Sequence, residues 1–233
     1  MDKKIVLVTG ANRGIGYEIS KQFAWIGYKV IMTGRNELQL KESAKQLVDE
    51  GCDVEFKAMD VRKHLPIRYL GQYIDREYGR LDVIINNAGV MLDPEMVGLN
   101  TSPKEIKETM ETNTFGPLRV CKELVPIMVK NNQGIIINVS SAYGAISGNG
   151  VDSPAYRISK SSLNMLTRIL SDELVNTNIK VNAVCPGWVR TDMGGQNAPT
   201  LPEDAAASIV WMATSQELVL SGKFYQNRKV IAW

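Results

Sequence analysis

The chain has only three cysteines and one histidine. Cys52, Cys121 and Cys185 are odd in number, widely separated and outside any Cys-x-x-Cys spacing, which argues against a disulfide framework and against a zinc site. We expect them to be reduced thiols in or near the core, and we expect no bound metal. His64 lies close to Pro66 at a predicted helix start, so we expect it to be a surface or capping residue rather than a catalytic one.

Long apolar runs and an excess of one charge are also missing. No segment approaches the ~18 apolar residues of a membrane span. Lys3 and Lys4 lead directly into the strand-like Ile5–Val8 rather than into a cleavable signal segment. The 27 Lys and Arg residues against 25 Asp and Glu residues leave a net charge of +2, and the basic residues are scattered. We therefore expect no nucleic-acid partner, no membrane partner and a cytoplasmic location.

Short β-branched segments alternate with longer helical patterns along the chain. This alternation predicts an α/β fold in which residues 1–233 form a single domain: a Rossmann-like, doubly wound parallel β-sheet flanked by helices on both faces. Ser102 and Thr200 each stand shortly before a proline and a glutamate, which predicts capped helix starts. The predicted strands are Ile5–Val8, Lys29–Thr33, Val54–Ala58, Val83–Asn86, Gly134–Val139, Ile179–Val184 and one near Lys223–Tyr225. The predicted helices cover residues 15–26, 37–50, 66–78, 103–115, 117–131, 155–175 and 202–214.

A glycine loop, Gly10-x-x-x-Gly14-x-Gly16, follows the first predicted strand. Glycines permit a tight turn and close backbone approach, and the next helix offers its N-terminal amides and dipole to a diphosphate. The trio alone also suits a plain strand-to-helix turn, but its context favours a dinucleotide site. The second strand ends without the carboxylate that accepts bonds from a ribose 2′-hydroxyl. Arg35 and Arg13 are placed to clamp a 2′-phosphate, so we predict NADP(H), with two solvated arginines as the alternative.

Further polar residues follow the predicted strands at the edge where a ligand crevice is expected. Asp60 either accepts from an adenine amino group or caps a turn, and Asn86 with Asn87 either hold backbone and ribose or satisfy the loop itself. Tyr156 and Lys160 are four residues apart and project from one helix face, about 40° apart, so the ammonium can tune the phenol. Alone, this pair equally suits a surface helix with a snorkelling lysine.

Taken in order, these motifs resemble the short-chain dehydrogenase/reductase family, and more narrowly its carbonyl reductases, over nearly the whole chain. Any one of them is common by chance, whereas the set in this order is specific. The residues that carry the resemblance are Thr9-Gly10-Ala11-Asn12-Arg13-Gly14-Ile15-Gly16, Asp60-Val61, Asn86-Asn87-Ala88-Gly89, Asn113, Asn138-Val139-Ser140-Ser141, Tyr156, Lys160 and Cys185-Pro186-Gly187-Trp188-Val189-Arg190-Thr191-Asp192-Met193.

The resemblance implies an enzyme that uses NADPH to reduce ketone or aldehyde carbonyls of small molecules to alcohols by hydride transfer. Tyr156 would be the general acid, with its pKa lowered by Lys160 and by the oxidised nicotinamide. Ser141, with Ser140 as its rival, would hold the substrate oxygen, and Asn113 would hold a water that links Lys160 to solvent. The implied cofactor-binding residues, of which Val189 and Thr191 would hold the carboxamide, are Gly10, Asn12, Arg13, Gly14, Ile15, Gly16, Arg35, Asp60, Val61, Asn87, Ala88, Gly89, Tyr156, Lys160, Pro186, Gly187, Val189 and Thr191.

Two other functions stay open. Reduction of ketoacyl groups on an acyl carrier protein uses the same catalytic residues, but it calls for a basic patch that the sequence does not concentrate. A non-catalytic NADPH-binding regulatory protein has no need of an intact Ser-Tyr-Lys set. Apolar residues on the loops favour a hydrophobic or aromatic carbonyl, although core packing is as good a reading of each one. These residues are Val90, Met91, Tyr143, Trp188 and Met193.

The oligomeric state is the last expectation. The interval from Ser141 to Tyr156 is 15 positions (156 − 141). It lacks the long insertion of the mammalian carbonyl reductases, which the resemblance implies keeps those proteins monomeric. The helices at 117–131 and 155–175 are then free to form a homodimer interface. A homotetramer is the alternative, and the tail after Gly222 departs from the ending typical of tetrameric members.

Overall fold

One eight-stranded sheet organises the computed structural model, which describes residues 3–215 and 220–233. The strands are β1 (Ile5–Thr9), β2 (Lys29–Gly34), β3 (Val54–Ala58), β4 (Val83–Asn86), β5 (Gly134–Val139), β6 (Ile179–Cys185), β7 (Phe224–Gln226) and β8 (Lys229–Ile231). Their order is β3-β2-β1-β4-β5-β6-β7-β8, with β8 antiparallel to β7 and all other neighbours parallel. The helices are α1 (Gly14–Trp25), α2 (Glu37–Asp49), α3 (His64–Tyr78), α4 (Pro103–Asn113), α5 (Phe115–Lys130), α6 (Pro154–Glu173) and α7 (Pro202–Thr214).

Alternate residues of β1 face two separate apolar layers. Val6 and Val8 pack with residues of α1, α2 and α7, whereas Leu7 packs with residues of α3 and α5. Since successive side chains of a strand point to opposite faces, a strand covered by helices on both sides must be apolar throughout. This explains the continuous apolar runs, and the predicted fold class is confirmed.

The strand order reverses beside β1, because the chain places β2 on one side of it and β4 on the other. The loops that follow β1, β4, β5 and β6 therefore emerge together at the carboxyl edge of the sheet, where open α/β sheets bind their ligands. The glycine loop, Asn87–Gly89, Ser141 and Pro186–Thr191 all lie in these loops.

Helix starts show one correct and one wrong prediction. At α4 the N–H of Glu105 donates to Oγ of Ser102 (3.2 Å), and the Glu105 carboxylate accepts from the N–H of Ser102 (2.9 Å), which is the predicted capping box. The matching prediction for Thr200 is wrong, because Leu201 precedes α7 and provides no side-chain cap. The backbone of Thr200 instead pairs with that of Trp188 and Arg190 in the loop after β6.

The strand β8 was not predicted. It is three residues long and follows a turn in which Asn227 and Arg228 adopt left-handed conformations, so it offers too short a pattern to read from sequence. His64 is the first residue of α3, two positions before the predicted start, and its Nε2 lies 3.5 Å from the Glu123 carboxylate.

All three cysteines are buried and unpaired. Among the described residues, no helix has both the length and the hydrophobicity needed to cross a bilayer.

Candidate active site

The glycine loop is folded tightly against the end of β4. Gly10 and Gly14 have left-handed φ angles of +64° and +55°, which favour glycine. A Cβ on Gly16 would lie 2.3 Å from the carbonyl oxygen of Gly10 and 2.5 Å from Nδ2 of Asn87. The structure thus brings the three predicted glycines and Asn87 together, with the N-terminus of α1 directed at this edge.

Thr9 and Asn87 tie the two loops to each other. The Thr9 hydroxyl accepts from the N–H groups of Asn87 and Ala88, both at 3.0 Å. The Asn87 amide donates to the carbonyls of Thr9 (2.8 Å) and Gly10 (3.1 Å). Asn87 therefore holds the backbone of the glycine loop. Satisfying loop backbone is one of the two roles that the sequence left open for it.

The other side of the glycine loop is fastened to α2. The Asn12 amide donates to Oε1 of Gln39 (3.1 Å), and the Ser43 hydroxyl donates to the Asn12 carbonyl (2.7 Å). Ile15 packs against the core layer of α1, α2 and α7. These contacts hold the glycine loop against α2 and the core.

Arg13 and Arg35 follow neighbouring parallel strands, so both lie at the predicted edge. The side chain of Arg13 is exposed and forms an ion pair with Asp192, in the loop after β6. Arg35 is exposed and close enough to Asp60 to help lower the pKa of that carboxyl group. The largest cause of that lowered pKa is hydrogen bonding from Arg62. Its guanidinium nitrogens donate to the Asp60 carboxylate oxygens at 2.6 to 3.0 Å.

Val61, the neighbour of Asp60, is buried against the start of α5. A Cβ on Gly116 would lie 2.8 Å from Cγ2 of Val61, so this contact requires glycine. On the facing loop, Gly89 lies close to α6, because a Cβ there would be 3.6 Å from Nζ of Lys160.

The loop after β6 lies across the glycine loop. Gly187 turns the chain with a φ of +86°, directly after Pro186. Cγ2 of Thr191 is 3.2 Å from the position of a Cβ on Gly14, and the backbone of Val189 pairs with that of Thr200. This loop therefore packs directly against the glycine loop.

Tyr156 and Lys160 lie on the first two turns of α6, and both are buried. Nζ of Lys160 is 5.6 Å from the centre of the Tyr156 ring and donates to the carbonyl of Val139 at 2.8 Å. Burial lowers the pKa of Lys160 to about 8, because the charged form is poorly solvated there.

The protein's own groups do not lower the pKa of the Tyr156 phenol. Burial raises it to about 12, and a hydrogen bond with Ser141 acts in the opposite, lowering sense. The negative charge of a phenolate would be poorly solvated at this buried position, which is why burial is the larger effect. The chain's own groups thus keep the phenol protonated at neutral pH.

The two candidate serines have different surroundings. Ser141 lies beside the Tyr156 phenol and acts to lower the pKa of that group, and its Oγ accepts from the N–H of Tyr143 (3.2 Å). Ser140 is buried, and its hydroxyl donates to Oδ1 of Asn164 at 2.6 Å. Of the two, Ser141 is the one beside the phenol.

Asn113 ends α4 next to this cluster. Its side chain accepts from the N–H of Val90 and donates to the carbonyl of Val90, each at 2.8 Å, and it donates to Oγ of Ser159 at 2.9 Å. Pro117 has no N–H, so the backbone carbonyl of Asn113 lacks the usual helical donor four residues on.

A sequence profile described as short chain dehydrogenase matches residues 4–202. The chain belongs to the short-chain dehydrogenase family. Carbonyl reductase [NADPH] 1 from Rattus norvegicus is 33% identical to it, and the alignment covers 100% of this chain and 99% of the rat protein. The human protein of the same name is 30% identical, over 98% of each chain. The predicted family and the prediction of an enzyme are both confirmed.

Solved structures of this family agree with the fold. Carbonyl reductase Sniffer of D. melanogaster superimposes with a TM-score of 0.89 at 29% identity, and the NADPH-bound carbonyl reductase from chicken fatty liver superimposes with a TM-score of 0.88 at 27% identity. Both comparisons cover 100% of each chain. The rat alignment spans 282 positions against 233 residues here, so the rat protein carries segments that this chain lacks.

Two buried residues of this short-chain dehydrogenase were missed by the sequence analysis. Asp93, in the loop after β4, accepts from the N–H groups of Ala155 (2.6 Å) and Tyr156 (3.3 Å). Asn164 accepts from Ser140 and donates to the carbonyl of Gly144 (3.1 Å). The sequence did contain a signal for Asn164, because it lies one helical turn beyond Lys160 and so on the same face of the helix. The Asp93 contact spans more than sixty residues and left no local signal.

Proposed function

We propose that this protein is a cytosolic enzyme that uses NADPH to reduce ketone or aldehyde carbonyls to alcohols, with Tyr156 as the general acid. The observation that carries the proposal is the cluster of Ser141 with the buried Tyr156 and Lys160, which lies at the same sheet edge as the glycine loop. The names of the relatives, carbonyl reductase [NADPH] 1 and the NADPH-bound carbonyl reductase from chicken fatty liver, support the same substrate chemistry and cofactor.

The residues present fit a dinucleotide. The cradle of Gly10, Gly14 and Gly16 has no room for side chains, and it exposes backbone amides at the start of α1. Thr191 and Val189 would hold the nicotinamide side from the loop after β6, and Arg13 with Arg35 would bind the 2′-phosphate. Bound NADPH supplies the hydride that is added to the carbonyl carbon.

The residues of this chain supply the proton and hold the substrate. Tyr156 would donate its phenolic proton to the carbonyl oxygen, so that hydride and proton together convert the carbonyl to an alcohol. A phenol with a pKa near 12 is protonated at neutral pH, as a donor must be. Ser141 would bind the same oxygen and align it. Lys160 would stabilise the phenolate left after transfer. A water on the backbone carbonyl of Asn113 would link Lys160 to solvent and so return a proton to the site.

Substrate consumption tests this proposal. NADPH oxidation is measured with a panel of isatin-like dicarbonyls, quinones, ketoesters and ketoacyl thioesters, for the wild type and for Tyr156→Phe. We expect the wild type to reduce at least one small carbonyl, and we expect Tyr156→Phe to lose turnover by on the order of a thousandfold while its Kd for NADPH stays within about twofold. Tyr69→Phe is the matched control, because Tyr69 is exposed on α3.

Other outcomes decide between the alternatives. Turnover of ketoacyl thioesters alone would favour the carrier-protein reductase. Tight NADPH binding with no turnover on any substrate would favour the regulatory protein. Full activity of Tyr156→Phe would overturn the role of the phenol.

The homodimer or homotetramer stays a prediction. The helices assigned to a dimer interface, α5 and α6, do carry exposed apolar side chains, namely Leu118, Ile158, Met165 and Ile169. Light scattering coupled to gel filtration measures the mass in solution, and a monomer would contradict the prediction.

A further inference from the structure

The first turn of α6 lacks the cap that helices ordinarily carry. Ser153 precedes the helix in a left-handed conformation with a φ of +50°, and its side chain makes no cap bond. Its hydroxyl donates instead to the carbonyl of Pro94 at 3.1 Å. A non-glycine residue in this conformation is strained by on the order of 1 kcal/mol, so surrounding contacts must impose it.

The missing cap comes from a distant segment. Asp93 is buried in the loop after β4, and its carboxylate accepts from the N–H groups of Ala155 and Tyr156, at 2.6 and 3.3 Å. These are the second and third residues of the helix, whose amides a local Ser or Asp usually satisfies. The negative charge also complements the positive end of the helix dipole.

The backbone of Tyr156 is held from its other side as well. Its carbonyl accepts from Oγ of Ser159 at 2.7 Å, and that hydroxyl accepts from the Asn113 amide at 2.9 Å. The Asn113 side chain is hydrogen-bonded to both the N–H and the carbonyl of Val90, three residues before Asp93. Asp93 and Val90 both belong to the loop after β4. The contacts that run from Asp93 through Tyr156, Ser159 and Asn113 to Val90 therefore begin and end in this one loop.

We propose that Asp93 is a positioning residue for Tyr156: by capping α6 from the loop after β4, it fixes the first helical turn and hence the phenol relative to a bound substrate. The inference rests on the proposed function. Lys160 lies one turn further into the helix and is anchored separately to Val139. Loss of the Asp93 contact should therefore misplace the phenol more than it disturbs the lysine.

The test separates catalysis from cofactor binding. For Asp93→Ala we expect kcat to fall by on the order of ten- to a hundredfold, because a displacement of about 1 Å in the donor costs that much, with the Kd for NADPH within about twofold of the wild type. Asp93→Asn keeps the shape but only one of the two accepting oxygens, so its kcat should lie between that of Asp93→Ala and that of the wild type. Because the effect is geometric, the pH at which kcat changes should be the same in all variants.

Two control variants reproduce the two changes that Asp93→Ala makes, namely the loss of a carboxylate and the loss of a helix cap. Glu95→Ala removes an exposed carboxylate from the same loop. Ser102→Ala removes the cap of α4, away from the phenol. Both should leave kcat within about twofold of the wild type. Hydrogen–deuterium exchange of the α6 N-terminus reports the contact directly, and we expect faster exchange only in the Asp93 variants.

The outcomes are distinct. A wild type that reduces carbonyls together with an Asp93→Ala variant of unchanged kcat would overturn the positioning role and leave the proposed function standing. Equal losses of kcat in Asp93→Ala and Ser102→Ala would also overturn it, since they would show a general stability effect. If Asp93→Ala does not fold, Asp93→Asn decides: wild-type kcat with faster exchange at the helix start overturns the proposal. A wild type without turnover on any carbonyl would overturn the proposed function itself.

Discussion

The ammonium of Lys160 donates to the backbone carbonyl of Val139, the last residue of β5, at 2.8 Å. This bond joins α6 to the sheet in a place where Lys160 is 4% exposed. A single neutral carbonyl does not replace the hydration of an ammonium, which is why the pKa of Lys160 falls to about 8.

Replacing Lys160 with methionine should change how stability depends on pH. Between pH 8 and 10.5, the unfolded chain binds a proton on Lys160 that the folded chain does not, so the free energy of unfolding of the wild type rises with pH across this window. Relative to Lys160→Met, the wild type should gain on the order of 3 kcal/mol. Urea unfolding at several pH values measures this. Lys104→Met, at an exposed lysine of α4, is the control for replacing a lysine by methionine. A flat difference for Lys160→Met would show that Lys160 has an ordinary pKa.

Gly144→Ala should disturb the turn that carries Ser141. A Cβ on Gly144 would lie 2.7 Å from the carbonyl carbon of Lys160, and this neighbour is backbone that cannot move aside cheaply. We expect a loss of about 1 to 3 kcal/mol in the free energy of unfolding and a lower kcat. Chemical denaturation and steady-state kinetics are the measurements. Gly98→Ala, where nothing lies within 4 Å, should be neutral in both. Equal effects of the two changes would refute the packing argument.

Arg35→Ser should shift cofactor preference. If Arg35 binds the 2′-phosphate, its loss removes a charge-assisted contact that only NADPH makes, so kcat/KM for NADPH should fall by on the order of tenfold or more while that for NADH changes little. The ratio of the two values is the measurement. Arg76→Ser, at an exposed arginine in the last turn of α3, should leave the ratio unchanged. A wild type that prefers NADH would contradict the assignment.

Asp192→Asn should strengthen NADPH binding slightly. Asp192 forms an ion pair with Arg13 and so competes with a 2′-phosphate for the same guanidinium. Both side chains are largely exposed, so the effect should stay below about fivefold in Kd and shrink as salt increases. Titration of NADPH at low and high salt measures it. Weaker binding in the variant would mean that Asp192 orients Arg13 for the phosphate instead of competing for it.

The sequence alone was sufficient for the elements and the motifs that are local. Continuous apolar runs identified the parallel strands, because a strand buried on both faces must be apolar at every position. The glycine spacing and the four-residue interval from Tyr156 to Lys160 were readable for a similar reason: one turn or one helix face determines them. From these patterns came the fold class, the family and the edge of the sheet that holds the site.

Only the tertiary structure decided how these pieces meet. The cap on α6 comes from Asp93, and the partner of Arg13 is Asp192. Each contact joins segments that follow different strands, so no local spacing encodes it. The raised pKa of Tyr156 and the lowered pKa of Lys160 have the same origin, because burial depends on what the whole chain packs around a group.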